Sequence, residues 1–346
     1  MSIAFDHTVA VSPTVAPRDW EEIRHSLSGS FYLSTAFAHI TASEGQKPLY
    51  FRYVDGSGKC QGIALGFLSS PWNRTPLRVL FRNLEFRTHP IVINGAKDIL
   101  NDFSSRIVQF GKKLHVTAVK FGSEDALISS TGLDTLGMIP HHRIEFLIQL
   151  DRTDDELIDA MHHMRKRNLK KLTKKKELVV FEDNTENGLR NLIRLQTSSR
   201  DRRRQRGEDY DIGSDQYISY VVNQYLKPGY GRLFFATMTD DPIAGVFLHC
   251  DTCSAYYTRA GSSPEGFQIG ASQFLVWEMM RRLRNDGYKI LNLGGVPANS
   301  NLKGHPAHGL YFFKSSYGSK QIRCITWTLE NVGIQSKLAA WLLKKM

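Results

Sequence analysis

The sequence predicts an α/β protein, with mixed α+β sheets packed by helices in two consecutive domains. Three observations carry this. The chain has 346 residues, room for two domains of roughly 150 residues each. Its hydrophobic fraction of 41% and charged fraction of 23% are those of a globular chain with a real core. Short apolar strand-like runs alternate with segments of helical spacing, the order that gives sheets covered by helices.

In the first half, "LYFRYVDGSGKCQGIALGFL" reads as two strands joined at Asp55-Gly56, a hairpin signal. "HPIVI", "LHVTAVKF" and "IEFLIQL" are further strands. "AKDILNDFSSRIVQFGKK" has helical spacing, with Ile99, Phe103, Ile107 and Phe110 on one side and a glycine and two lysines at its end. His141 and His142 are adjacent in a strand, so they point to opposite faces and do not share a metal.

A boundary falls near Leu150. "DRTDDELIDAMHHMRKRNLKKLTKKK" then reads as one helix, opened by a Thr153/Glu156 capping box, with Leu157, Met161 and Met164 on one face. A strand "LVVFE", a helix near 189–197, a basic loop "SRDRRRQRGED" and a helix near 216–226 follow. A meander of "RLFFATMT", "IAGVFLHC" and "SAYYTRAG" comes next. Residues 272–285 form a helix, with Leu275, Met279 and Leu283 aligned and Gly287 as its cap. "YKILNLGG" is a short buried strand. "GLYFFKSSYG" (309–318) has two readings: a strand of alternating aromatics with an exposed Lys314, or a lysine set among rings. The tail "QSKLAAWLLKKM" is amphipathic and docks on the body, with membrane-surface contact as the other reading. The division is 1–150, 151–330 and a terminal helix at 331–346.

Several function classes fall away. No stretch approaches the roughly 20 apolar residues of a membrane span. The N-terminus lacks a basic start with an apolar run, so no secretory leader is read. Four cysteines, at 60, 250, 253 and 324, are too few for a disulfide scaffold and fit a reducing, cytoplasmic location. Cys250 and Cys253 lack a second ligand pair, so no metal is expected. No phosphate-binding loop of the G-x-x-x-x-G-K-[ST] type is present.

The net charge is +11, and its location matters more than its size. Between Arg165 and Arg206 stand fifteen Lys/Arg against five Asp/Glu. Such clustering points to a polyanionic partner: RNA, a nucleotide, coenzyme A or an anionic surface. Arg165, Arg167, Lys170, Lys171 and Lys174 are the phosphate-contacting candidates. Their charge spreads around the helix without interleaved aromatics, which argues against base reading and against DNA. Arg200, Arg202, Arg203, Arg204 and Arg206 cannot all face one way; one or two can fork onto phosphate or carboxylate. Of the neighbours Tyr256 and Tyr257, one faces the core and the other a cleft.

The basic helix "MRKRNLKKLTKK", T-x-x-R-D at Thr197–Asp201, the "YY" strand, "NLGG" and "GLYFFKSSYG" occur in the order seen in Fem-type peptidoglycan-bridge aminoacyltransferases. The chain resembles this family over most of residues 150–320. The resemblance implies two GNAT-like domains in tandem. It also implies aminoacyl transfer from an aminoacyl-tRNA to an amine, with no tightly bound cofactor. The family's Phe-Lys pair falls on Phe313-Lys314, and its phosphate-holding arginine on Arg200. There are departures. The region that should carry a tryptophan and a phosphate-holding lysine, "STAFAHITASEG", has Phe37 and no lysine before Lys47. The aromatic expected after Arg200 is replaced by further arginines. Transfer chemistry is therefore better supported than a peptidoglycan-precursor acceptor.

An aminoacyl ester is already activated, so the site must supply position and charge stabilisation. Lys314 is then the oxyanion partner. Phe313, Tyr311 and Tyr317 shape its pocket, and Gly294-Gly295 admit substrate without a Cβ. Tyr256 or Tyr257 relays a proton. Arg200, Arg203 and Arg259 are substrate-side cations. Two alternatives stand beside this reading. The first is an acyl-CoA-dependent N-acyltransferase of the same fold, in polysaccharide or secondary-metabolite synthesis. Against it, the Q/R-x-x-G-x-G/A pyrophosphate loop of acetyl-CoA enzymes is imperfect here, with Ala271 where its first glycine should stand. The second is a non-catalytic RNA- or membrane-surface-binding protein.

Overall fold

The computed structural model describes residues 7–70, 81–124, 130–174, 177–204 and 215–330, with only the backbone at 7, 202, 203, 215 and 216. The expected terminal helix at 331–346 and the basic run beyond 204 lie outside the described residues. Two compact units form: described residues up to Ile144 together with those from Arg323 onward, and Glu145–Ile322.

The first unit begins with β1 (His7–Pro13), β2 (Lys47–Asp55) and β3 (Cys60–Ser69), all antiparallel neighbours. The Asp55 turn joins β2 and β3, with Asp55 Oδ1 accepting from the backbone N–H of Ser57 and of Lys59. β4 (Asn83–Phe86) pairs with β3, as does β5, which is reduced to Ile91–Val92. The Lys97–Lys113 helix then crosses over to β6 (Ala118–Phe121), parallel to β4, as a parallel pair requires. The chain returns at its far end, where β13 (Lys320–Glu330) lies antiparallel to β6. β2 is buried on both faces. Trp20 meets Tyr50 edge-on at 4.8 Å on one side, and Phe110 meets Phe51 at 5.3 Å on the other. Phe37 is buried against Phe67 in the Thr35–Ser43 helix.

His89 sits in this core at 1% exposure. The carbonyl of Ile325, 2.6 Å from Nε2, can only accept, and the N–H of Ser130, 3.0 Å from Nδ1, can only donate. The neutral Nε2–H tautomer is thereby fixed. Burial pulls this imidazole down from 6.5 to about 4, against the opposing bond to Ile325. The unfolded chain therefore takes up a proton below about 6.5 that the folded chain refuses until about 4. This stabilisation is complete above pH 6.5 and declines as pH falls. We expect a loss of about 2 kcal/mol at pH 5 relative to pH 7.5 from this group. Urea midpoints at the two pH values, compared with His89→Gln, check it; an unchanged difference in the variant would refute the assignment.

The second unit has the order β7–β12–β11–β10–β9–β8. Its strands are the Glu145–Gln149 part of β7 (Ile139–Gln149), β8 (Val179–Glu182), β9 (Gly231–Thr237), β10 (Pro242–Cys250), β11 (Ser254–Ser262) and β12 (Ile290–Pro297). β8 to β11 are antiparallel neighbours, and β12 is parallel to β11. The Glu186–Arg204 helix crosses the sheet at glycines. A Cβ on Gly261 would lie 2.4 Å from Gln196 N, and one on Gly245 would reach 3.1 Å from Leu195 Cδ1. The Ala271–Asn285 helix packs on β9 and β10, burying Leu275, Met279 and Leu283.

Three local expectations change. The single helix after Leu150 is two, Asp154–Ala160 and His163–Lys174. The capping box forms, but Met161 turns extended (ψ 151°), and the N–H of His162 donates instead to Ser316 O at 3.0 Å. Leu157 and Met161 stay buried while Met164 turns outward. The run "SSRDRRR" is not a loop; it continues the helix to Arg204. The aromatic run is not a strand; His308–Ser315 is a helix.

Candidate active site in the second unit

The β11–β12 ladder is short. It pairs Ser254 with Ile290, Ala255 with Leu291 and Tyr256 with Asn292, and no register is recorded beyond. Each strand becomes irregular there. On β11, Thr258 is an extra residue: Leu248 faces Tyr257 and Phe247 faces Arg259, with Thr258 Oγ1 donating to Phe247 O at 2.9 Å. This is a β-bulge, which re-aims side chains. On β12, Gly294 has φ +75°, and its N–H donates to Asn292 Oδ1 at 2.7 Å.

Lys314 enters at this open end from the His308–Ser315 helix. It is buried, with 7% exposure, and Nζ donates to Gly295 O at 3.2 Å. A Cβ on Gly294 would stand 3.3 Å from Nζ and 3.5 Å from Tyr257 O. Glycine at 294 thus meets two demands, a left-handed backbone and a lysine at contact distance. Gly294, Gly295, Lys314 and the Tyr257 backbone are brought together. Tyr256 is not: it lies opposite His249, buried on the other face of β11 from Tyr257. Tyr257 is the one of the pair beside Gly294.

The rings expected around Lys314 serve another cation. The Arg165 guanidinium lies 5.3 Å from the Phe313 ring and 4.4 Å from the Tyr317 ring, which meet each other edge-on at 5.4 Å. Its Nε and Nη2 donate to Ser316 Oγ at 3.0 and 2.7 Å. Arg165 is only 5% exposed, so it leaves the phosphate-contacting set. Burial lowers its pKa and raises that of the Tyr317 phenol above the usual range. Tyr311 packs on Phe146 at 5.5 Å and donates to Gln321 at 3.2 Å.

With Arg165 turned inward and Lys166 paired with Asp159 at 3.2 Å, the exposed cations of the His163–Lys174 helix are Arg167, Lys170, Lys171 and Lys174. Their spacing of three, four and seven residues puts them on one side. The sequence suggested charge all round; burial of Arg165, Leu169 and Leu172 on the opposite side makes it a stripe.

Arg200 lies near the end of the Glu186–Arg204 helix. Next to it, Ser199 Oγ accepts from Ser262 N at 2.9 Å and donates to Ser262 O at 3.2 Å. Arg200 is half-buried, and its Nε is buried with no hydrogen-bond partner among the described residues. Arg259 stacks on Tyr217 at 4.4 Å. The Arg203 side chain lies outside the described residues.

The stretch read against the pyrophosphate loop runs from the end of a short helix, Pro264–Ile269, through Gly270 (φ +80°) into the Ala271–Asn285 helix; Ser263 Oγ caps the short helix, accepting from Gly266 N at 3.0 Å. A Cβ on Gly266 would strike Ile243 O at 2.1 Å, so this glycine is needed for packing. Cys250 is buried, its thiol pushed up to about 12, while Cys253 is exposed. Among the described residues, no three His, Cys, Asp or Glu side chains gather to hold a metal. Nor is any helix long and apolar enough to cross a membrane.

Glu145 was read only as part of a strand, and Asn292 only as part of a strand and of the "NLGG" motif. Asn292 Nδ2 donates to Glu145 Oε2 at 2.7 Å, both buried. The available signal was a polar residue inside each of two otherwise apolar runs, "IEFLI" and "ILNL".

Comparison with known proteins fixes the fold. Residues 160–310 match the acetyltransferase (GNAT) domain family. The crystal structure of FemX superposes with a TM-score of 0.69 at 14% identity, covering 95% of this chain and 99% of that one. A tandem GNAT protein from the clavulanic acid biosynthesis pathway gives 0.52 at 13% identity, covering 94% and 99%. A GCN5-related N-acetyltransferase from Sphaerobacter thermophilus gives 0.50 at 12% identity, covering 93% and 95%. No curated protein matches by sequence. The chain has the tandem GNAT fold, and the match to the acetyltransferase (GNAT) domain model lies within its second unit.

Proposed function

We propose that the protein transfers an aminoacyl group from an aminoacyl-tRNA to an amine. One observation carries this reading: the ammonium of Lys314 is buried at the open end of the β11–β12 ladder, resting on a carbonyl. The acceptor amine attacks the ester carbonyl, a C–N bond forms, and the carbonyl oxygen becomes an oxyanion. Lys314 Nζ stabilises that charge in a site where water screens it little. Collapse breaks the ester C–O bond, and the amine proton leaves with the ribose oxygen. The Arg167–Lys174 stripe meets the RNA backbone, and Arg200, whose Nε has no hydrogen-bond partner among the described residues, meets an acceptor anion. The likeness to FemX, together with the motif order around Phe313-Lys314, supports this donor.

The match of 160–310 to an acetyltransferase domain favours acyl-CoA as the second reading. Ala271, where the first glycine of the pyrophosphate loop should stand, weighs against it. The test is transfer of label from a mixed pool of charged tRNA to a cell-extract acceptor fraction, beside labelled acetyl-CoA. We expect RNase-sensitive label from tRNA. Label from acetyl-CoA alone overturns the donor assignment.

A further inference from the structure

We infer that Asn292, oriented by Glu145, is a positioning residue: it holds the β11–β12 ladder open and fixes the carbonyl on which Lys314 rests. Its catalytic meaning rests on the proposed role of Lys314; its structural content does not.

The argument starts from hydrogen-bond accounting. A parallel ladder continues as long as each strand offers free N–H and C=O groups to its neighbour. After the Tyr256–Asn292 pair, β12 stops offering them. The N–H of Gly294 is taken by Asn292 Oδ1 at 2.7 Å, and the carbonyl of Gly295 by Lys314 Nζ at 3.2 Å. A side chain that accepts from the backbone two residues on competes with sheet pairing, as asparagine does in turns. Here it also sustains the +75° φ of Gly294.

An amide can rotate and present nitrogen instead of oxygen to Gly294. Glu145 prevents this. Its carboxylate accepts from Asn292 Nδ2 at 2.7 Å and leaves Oδ1 facing the Gly294 N–H. Glu145 is 2% exposed and Asn292 3%. A carboxylate is placed in an apolar interior only where its bonds compensate its desolvation. The chain Glu145–Asn292–Gly294 thus sets the backbone beneath Lys314, and the next peptide supplies its rest.

The pair can be tested by exchanging its chemistry. Asn292→Asp sets two carboxylates against each other at the 2.7 Å contact. Adding Glu145→Gln restores one amide donor and one carboxylate acceptor in reversed order. The readout is the rate at which an amine-reactive succinimidyl ester labels Lys314 at pH 8, followed by peptide mass spectrometry. Hydrogen exchange at the Gly294 amide runs in parallel. We expect Asn292→Asp to speed Lys314 labelling about tenfold, the equivalent of one lost charged hydrogen bond, and the exchanged pair to return to within about threefold of wild type. Wild-type labelling in Asn292→Asp overturns the inference, as does an exchanged pair no better than the single variant. If Asn292→Asp fails to fold, the exchanged pair decides alone: a folded protein with slow labelling supports the inference, and an unfolded or fast-labelling one overturns it. Absence of transfer by the wild-type protein counts only against the proposed reaction, because labelling needs no donor.

Discussion

On the proposed reaction, we expect Lys314→Ala to lower the aminoacyl-transfer rate by about 10²–10³-fold, the usual effect of removing one oxyanion donor, with little change in KM for either substrate. In the proposed mechanism the charge it would stabilise exists in the intermediate and not in the bound ester, so its loss should be felt in the chemical step. The side chain is buried and its ammonium lies within 3.2 Å of Gly295 O, which holds it in place before reaction. Lys314→Met is the stricter variant, because it keeps the length and apolar stem and removes only the donor. Lys314→Arg is not a conservative repair: a planar guanidinium does not reproduce the compact point charge of an ammonium. Single-turnover transfer with preformed complex is the measurement. A rate within threefold of wild type in both Ala and Met variants would remove Lys314 from the mechanism and leave the fold untouched.

We expect Gly261→Ala to be strongly destabilising. Its Cβ would lie 2.4 Å from both Gln196 N and Leu195 C. Both are backbone atoms of the Glu186–Arg204 helix, so no rotamer change relieves the clash. The helix must lift from β11, taking with it the Ser199–Ser262 bonds and the placement of Arg200. Overpacking typically costs about 1–3 kcal/mol, and a backbone-to-backbone clash belongs at the top of that range. At roughly 2–4 °C per kcal/mol, we expect Tm to fall by about 10 °C. Gly287→Ala is the control. Gly287, unlike Gly261, has a positive φ (+89°), and nothing lies within 4 Å of its added Cβ, so only the backbone strain of about 1 kcal/mol applies. Calorimetry on the two variants separates close approach from conformational strain. Equal shifts would show that the helix yields easily.

Much of this architecture was legible in local pattern. The Asp55 hairpin, the Thr153/Glu156 capping box, the 272–285 helix and the β9–β10–β11 meander follow from turn chemistry and periodicity, and the structure forms all of them. Gly294-Gly295 and Lys314 were singled out from sequence, and the structure brings them together. The aromatic run was harder. Eight residues rich in rings satisfy a strand and a short helix equally well, and only packing of the His308–Ser315 helix decides between them.

Residue chemistry and local spacing determined the α/β class, most of the elements and the clustered basic charge, and the family resemblance pointed to the lysine worth testing. These properties depend on neighbours within a few positions, which a sequence displays directly. Tertiary structure decided the rest. It returned β13 to the first unit across some two hundred residues of intervening chain. It buried Arg165 between Phe313 and Tyr317 and so turned scattered charge into a stripe. It also set Glu145 against Asn292 across 147 positions. Such contacts are chosen by which desolvated groups can satisfy one another once the sheet has formed. No periodicity along the chain records that choice.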